Sequence, residues 1–147
     1  MADLFDRILM LRKSALFAHV TTEDLRVVAQ ELTEEMYFSG DRVFDINEQG
    51  DHMYIVESGR VGVSLDPDPA ARTFVAEIGP GECFGEMNIF DELPRSATVH
   101  VLEDTKLLSL EKSKLRGLIM RYPELSLGLL RGLSMRLRAT NIVVNRK

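Results

Sequence analysis

The chain has 147 residues, 45% of them hydrophobic and 28% charged, and carries a net charge of −5. Those proportions suit one soluble globular domain with a single sizeable core, and no apolar run reaches the ~18 residues of a membrane span. The N-terminus carries Asp3 and Asp6 without an apolar stretch, which argues against a secretory signal, and the lone Cys83 excludes an internal disulfide, so the expected location is the cytoplasm.

The first elements read as helices. Leu4, Ile8, Leu11 and Ala15 recur at helical spacing. Thr21 and Thr22 precede a segment with acids in its first turn and apolar residues at Leu25, Val28, Ala29 and Leu32, the pattern of a capped amphipathic helix. From Tyr37 to Leu110 the texture changes to short β-type runs. Turn residues at Ser39-Gly40-Asp41, Gln49-Gly50-Asp51, Ser58-Gly59-Arg60 and Gly79-Pro80-Gly81 punctuate them. The alternation of Val61, Val63 and Leu65 predicts strands with one buried face. Turns every eight to twelve residues point to an antiparallel barrel or sandwich.

Helical texture returns after Leu110. Lys112 to Tyr122 predicts one short helix stopped before Pro123, which then opens a longer one. In that second helix Leu125, Leu129, Leu130, Leu133 and Leu137 form a stripe, weakened locally by Gly128 and Gly132. Pro123 to Lys147 holds five basic residues against Glu124, a local charge of +4 that leaves −9 for the rest. An acidic body argues against a nucleic-acid surface, and the basic tail reads as the solvated side of a helix.

The chemistry concentrates between Phe84 and Thr98. Gly85 lets a backbone approach a ligand closely. Glu86 to Phe90, through Met87 and Asn88, is expected to form a short turn with N–H groups free for an anion. Arg95 offers a planar fork for two anionic oxygens, with Ser96 and Ala97 beside it. Glu86, nine residues upstream of Arg95, is placed to accept a hydrogen bond from a sugar hydroxyl. A cyclic phosphate on its ribose needs this set of groups. The plainer alternative is an Arg95–Glu86 ion pair in an empty pocket.

These residues resemble the phosphate-binding cassette of the cyclic nucleotide-binding domain family, which includes bacterial catabolite activators and protein kinase A regulatory subunits. Phe84, Gly85, Glu86, Pro94, Arg95, Ser96, Ala97 and Thr98 match its pattern, and Gly50-Asp51 with the following MYIVESGRVGV resembles its upstream signature. Asn88 departs from the pattern, standing where Ala or Gly is usual. The resemblance implies an eight-stranded antiparallel jelly-roll β-barrel with N-terminal helices and two C-terminal helices. It implies one domain over 1–147: helices over 1–33, the barrel over 34–110 with the cassette at 84–98, and helices over 111–147. It also implies that Thr140 and Asn141 on the last helix reach the base. Ser96 and Thr140 favour cyclic AMP as the ligand, with cyclic GMP the alternative.

The function implied is a sensor that couples nucleotide binding to movement of the C-terminal helix. Two alternatives share the fold: the sensor part of a catabolite-activator-type transcription regulator, and a ligand-free dimerisation domain using Leu129, Leu133 and Leu137. A homodimer through the C-terminal helix is a candidate assembly, and no nucleic-acid binding is expected of this chain alone. No Ser-His-Asp set, P-loop or paired catalytic acids stand out, so no enzyme and no metal or other cofactor is expected. Cys83 reads as an inert thiol, His19, His52 and His100 as structural, and Met10, Met36 and Met120 as core filler.

Overall fold

The structure is a computed structural model that describes residues 3–145, with side chains described to residue 140. Helices α1 (Leu4–Lys13) and α2 (Thr22–Ala29) lead into strands β1 (Thr33–Tyr37), β2 (Arg42–Phe44), β3 (His52–Ser58), β4 (Val61–Ser64), β5 (Ala76–Ile78) and β6 (Cys83–Phe84). A one-turn helix α3 (Met87–Phe90) follows, then β7 (Thr98–Val101), β8 (Thr105–Glu111), α4 (Lys112–Arg121) and α5 (Pro123–Asn145). Asp3 caps α1 by accepting from the Asp6 N–H, and Thr21 caps α2 by accepting from the Asp24 N–H.

The eight strands pair antiparallel as two four-stranded sheets, ordered β1-β8-β3-β6 and β2-β7-β4-β5. Among the described residues no ladder joins the two, so the expected closed barrel is instead a pair of facing sheets. The outer strands are short, and β6 ends after two residues because the chain leaves the sheet at Gly85, whose φ is +74°. β3 explains how the layers hold together. Tyr54 and Val56 face the second sheet, while Met53 and Ile55 face the helices, and all four are buried. In β8 Leu107 joins the inter-sheet core and Leu108 and Leu110 the helical one. Each such aliphatic side chain contributes roughly 1.5–3 kcal/mol by leaving water.

Several expectations are corrected here. β1 starts at Thr33, inside the stretch read as helical, because its run TEEMY has no apolar alternation and is held by pairing with β8. Ala15 lies past the end of α1, where Ser14 turns the chain by donating to the Leu11 carbonyl. Leu65 is not inward-facing but 55% exposed beyond the end of β4. Met36 and Met120 are exposed rather than core filler, while Met10 packs against the helical core. The α5 stripe divides: Leu125 and Leu129 are buried, and Leu130 and Leu137 are exposed. Gly128 and Gly132 are docking positions, since a Cβ at either would collide with the Leu16–Val20 segment of the α1–α2 connection. No described helix is long and apolar enough to cross a membrane.

Candidate functional site

The cassette joins the first sheet to the second, running from β6 to β7. β6 delivers Phe84, the left-handed Gly85 turns the chain outward, and α3 starts at once, with Glu86 at its N-cap. The chain returns through Pro94 to Arg95, whose backbone is fixed on both sides. Its N–H donates to the Glu48 carbonyl at 2.7 Å, and its carbonyl accepts from the Asn47 N–H at 2.8 Å. Thr98, at the far end of the cassette, is fully buried and accepts from the Ile46 N–H at 2.9 Å.

A cavity of about 260 Å³ opens between these pieces. Its walls include Phe44, Val63, Ile78 and Val99 of the sheets and Glu86, Asn88 and Arg95 of the cassette. Phe84, Gly85, Met87, Ser96 and Ala97 also line it, so eight of the ten expected binding residues come together there. Larger hollows of about 520 and 420 Å³ lie beside α1 and beside the start of α4, but neither brings a buried charged side chain to its wall.

Arg95 is only 4% exposed, yet no carboxylate lies within ion-pair distance of it among the described residues. Neutral groups hold its guanidinium instead. Nη1 donates to the Gly85 carbonyl at 3.1 Å and to Asn88 Oδ1 at 3.0 Å, and Nη2 donates to the His52 carbonyl at 2.7 Å. The ring of Phe44 lies beneath it, 3.9 Å from Cζ to the ring centroid. Nε has no partner. Burial pushes the guanidinium below its ordinary range, while it remains protonated.

Glu86 is equally buried, at 6% exposed, and is held differently. Oε1 accepts from Arg136 Nη1 at 2.7 Å, across 50 residues of sequence. Burial works against the charge of Arg136, but its hydrogen bond to Glu86 and their attraction more than offset that. The simple Arg95–Glu86 pair is therefore absent, each residue having found other partners.

Arg136 sits in the basic run read from the sequence as a solvated face, and nothing in helix periodicity alone marks it out. In the sequence Gly50 reads as a turn residue. A Cβ there would overlap Nε and Cζ of Arg95, so its hydrogen is what makes room for the guanidinium. Phe44 and the His52 carbonyl were also not anticipated. Thr140 lies one helical turn past Arg136, is exposed, and spends its hydroxyl on the Arg136 carbonyl at 3.1 Å. It is not among the residues lining the cavity. The side chain of Asn141 lies outside the described residues. Cys83 lines the cavity wall, and burial pushes its thiol up to about 12. Among the described residues no group of three or more His, Cys, Asp or Glu side chains is placed to hold a metal ion.

The site thus brings a buried cation without an anionic partner and a buried carboxylate to one cavity, on an antiparallel two-sheet frame with flanking helices. The family model described as the cyclic nucleotide-binding domain matches residues 34–122, and the chain belongs to that family. It is 31% identical over 132 residues to the CRP-like cAMP-activated global transcriptional regulator of Mycobacterium tuberculosis, covering 90% of this chain and 59% of that protein. The crystal structure of the N-terminal domain of a transcriptional regulator from Streptomyces coelicolor A3(2) is 33% identical, with a TM-score of 0.79, covering 91% of this chain and 93% of that one. The regulatory domain of Toxoplasma gondii PKA, crystallised with cAMP, is 26% identical, with a TM-score of 0.72, covering 80% of this chain and 46% of that one. The chain thus spans about three fifths of the length of the bacterial regulator it matches.

Proposed function

We propose that this domain senses cyclic AMP and passes the binding event to α5. The observation that carries the reading is Arg95: a guanidinium taken out of water with no anionic partner, beside a cavity wide enough to admit part of a small ligand. A buried charge satisfied only by carbonyls and an amide is costly, and a bound anion would relieve that cost. In this reading the phosphate oxygens take donors of Arg95, with Ser96 and the backbone after Gly85 completing the cradle. Glu86 accepts from the ribose 2′-hydroxyl. The cavity is just below the ~300–1,000 Å³ range of small-molecule pockets, so the cassette opens somewhat as the ligand enters.

Arg136 supplies the link to α5. A ribose hydroxyl arriving at Glu86 changes the carboxylate to which the helix is bonded. The ligand can shift the helix only through a different affinity for its two positions, and this ion pair is where such a difference arises. The preference for cyclic AMP over cyclic GMP rests on Ser96, where Thr would favour guanine, and the names of the relatives agree with it. Leu130 and Leu137, exposed on α5, are the surface through which two copies would associate.

Isothermal calorimetry with cyclic AMP and cyclic GMP tests this directly, with light scattering on the same samples reading self-association. The expected result is binding of cyclic AMP, tighter than cyclic GMP, and at least about a 100-fold loss in Arg95→Ala, from two charge-assisted bonds of about 1.5–3 kcal/mol each. Absence of binding of either nucleotide at millimolar concentration would sink the reading.

A further inference from the structure

Asn88 is the one cassette residue that departs from the pattern, and its side chain has a defined employment. It is 6% exposed and bonded at both ends: Oδ1 accepts from Arg95 Nη1 at 3.0 Å, and Nδ2 donates to the Leu93 carbonyl. The amide has one workable orientation. Flipped, it would set its NH₂ against the guanidinium and its oxygen against a carbonyl.

Of the fork's three donor nitrogens, Nη1 and Nη2 have protein partners and Nε has none. Both protons of Nη1 go to protein acceptors, the Gly85 carbonyl and Asn88. Nη2 donates to the His52 carbonyl. Gly50 lies over the face of the guanidinium, where a Cβ would overlap Nε and Cζ. On the Nη1 side Gly85 and Asn88 line the cavity, and there a side-chain oxygen already occupies a donor that a phosphate can use.

We propose that Asn88 is a latch that tunes the affinity of the site: it holds Arg95 in the ligand-free position, and a nucleotide phosphate competes with its amide oxygen for Nη1. The inference rests on the cyclic-nucleotide reading of the cavity. The latch stabilises the ligand-free domain and weakens binding by the same amount, since any free energy that favours the empty state is subtracted from the ligand's. An Asn at this position then gives a sensor tuned to higher nucleotide concentration than the small residue would.

Two variants separate the latch from simple crowding and from a phosphate-contacting amide. Asn88→Ala removes both the amide and its bulk, while Asn88→Leu removes the amide and keeps the bulk. Calorimetry on wild type and both variants is expected to show about tenfold tighter cyclic AMP binding in each, the scale of one hydrogen bond to a charged group. Thermal unfolding is expected to show a lower midpoint without ligand and a larger nucleotide-induced rise, whereas a merely structural residue would not enlarge that rise. Weaker binding in Asn88→Ala overturns the latch in favour of an amide that contacts phosphate. Tighter binding in Asn88→Ala but not in Asn88→Leu overturns it in favour of crowding. If both variants bind no more tightly than wild type, the latch is wrong while the nucleotide reading stands; if none of the three binds, both fall.

Discussion

Arg95 and Glu86 are nine residues apart, equally buried and oppositely charged, yet the protein satisfies them in different ways. Arg95 is held by groups of the sheet frame and the cassette: two backbone carbonyls, the Asn88 amide and the face of Phe44. Glu86 is held by a charge from outside that frame, on the last helix. A cation surrounded by neutral acceptors keeps its charge for an incoming anion. A carboxylate paired with an arginine of α5 ties the cavity wall to that helix. On the proposed function the Arg95 half serves affinity and the Glu86 half transmission.

The sharpest way to test the Arg95 half is Gly50→Ala. Nothing in the Gly50 backbone forbids alanine, since its φ is not in the left-handed region. The new methyl would meet the guanidinium, which Phe44 and three hydrogen bonds keep from moving aside. Overpacking of this kind costs about 1–3 kcal/mol, to be read by denaturant unfolding. The cost should largely vanish when Gly50→Ala is made in Arg95→Ala, because the two effects share one contact. Full additivity would show that Arg95 is not seated against Gly50.

The Glu86 half has a smaller expected effect. Arg136→Ala leaves Glu86 buried without its partner, but the arginine itself is 42% exposed, and solvent already screens part of the attraction. A loss of about 1 kcal/mol is expected, which in a domain of this size lowers the melting temperature by roughly 2–4 °C. The more telling readout is protease cleavage in α5. In the wild type nucleotide should change its rate; in Arg136→Ala it should not. A variant whose α5 still responds would remove the ion pair from the transmission route.

The two halves also differ in how far the sequence discloses them. Gly85, Glu86, Arg95 and Ser96 lie within one short stretch, so their chemistry is legible from residue type and spacing. The turn after Glu86 and the breaks at Tyr122 and Pro123 were likewise readable, because caps and proline act locally. What was not legible depends on contacts distant in sequence. Arg136 meets Glu86 only because Gly128 and Gly132 let α5 dock closely on the Leu16–Val20 segment, and a helical period reports neither fact. β1 lacks a strand's alternation and takes its conformation from β8. Closure of the barrel is a property of edge lengths, which turn spacing overestimates.

The smallest effect concerns Cys83, on the cavity wall with Glu86. Its thiol is raised from an ordinary 9.0 to about 12, first by burial and second by the charge of Glu86, with Arg136 acting in the opposite sense. The direction of the pH dependence follows. Below pH 9 the thiol is protonated in both folded and unfolded chains and contributes nothing. Between pH 9 and about 12 the unfolded chain ionises while the folded one does not, so stability falls as pH rises. The slope approaches about 1.4 kcal/mol per pH unit, the free-energy equivalent of one proton. Denaturant unfolding at pH 8.5 and 10.5 should show this loss in wild type and a shallower one in Cys83→Ala. At pH 8 a thiol reagent should modify the folded chain far more slowly than the unfolded one, because the attacking species is the thiolate. Rapid modification of the folded chain would mean that the wall beside Glu86 opens to water, and the carboxylate would then need no arginine to hold its charge in place.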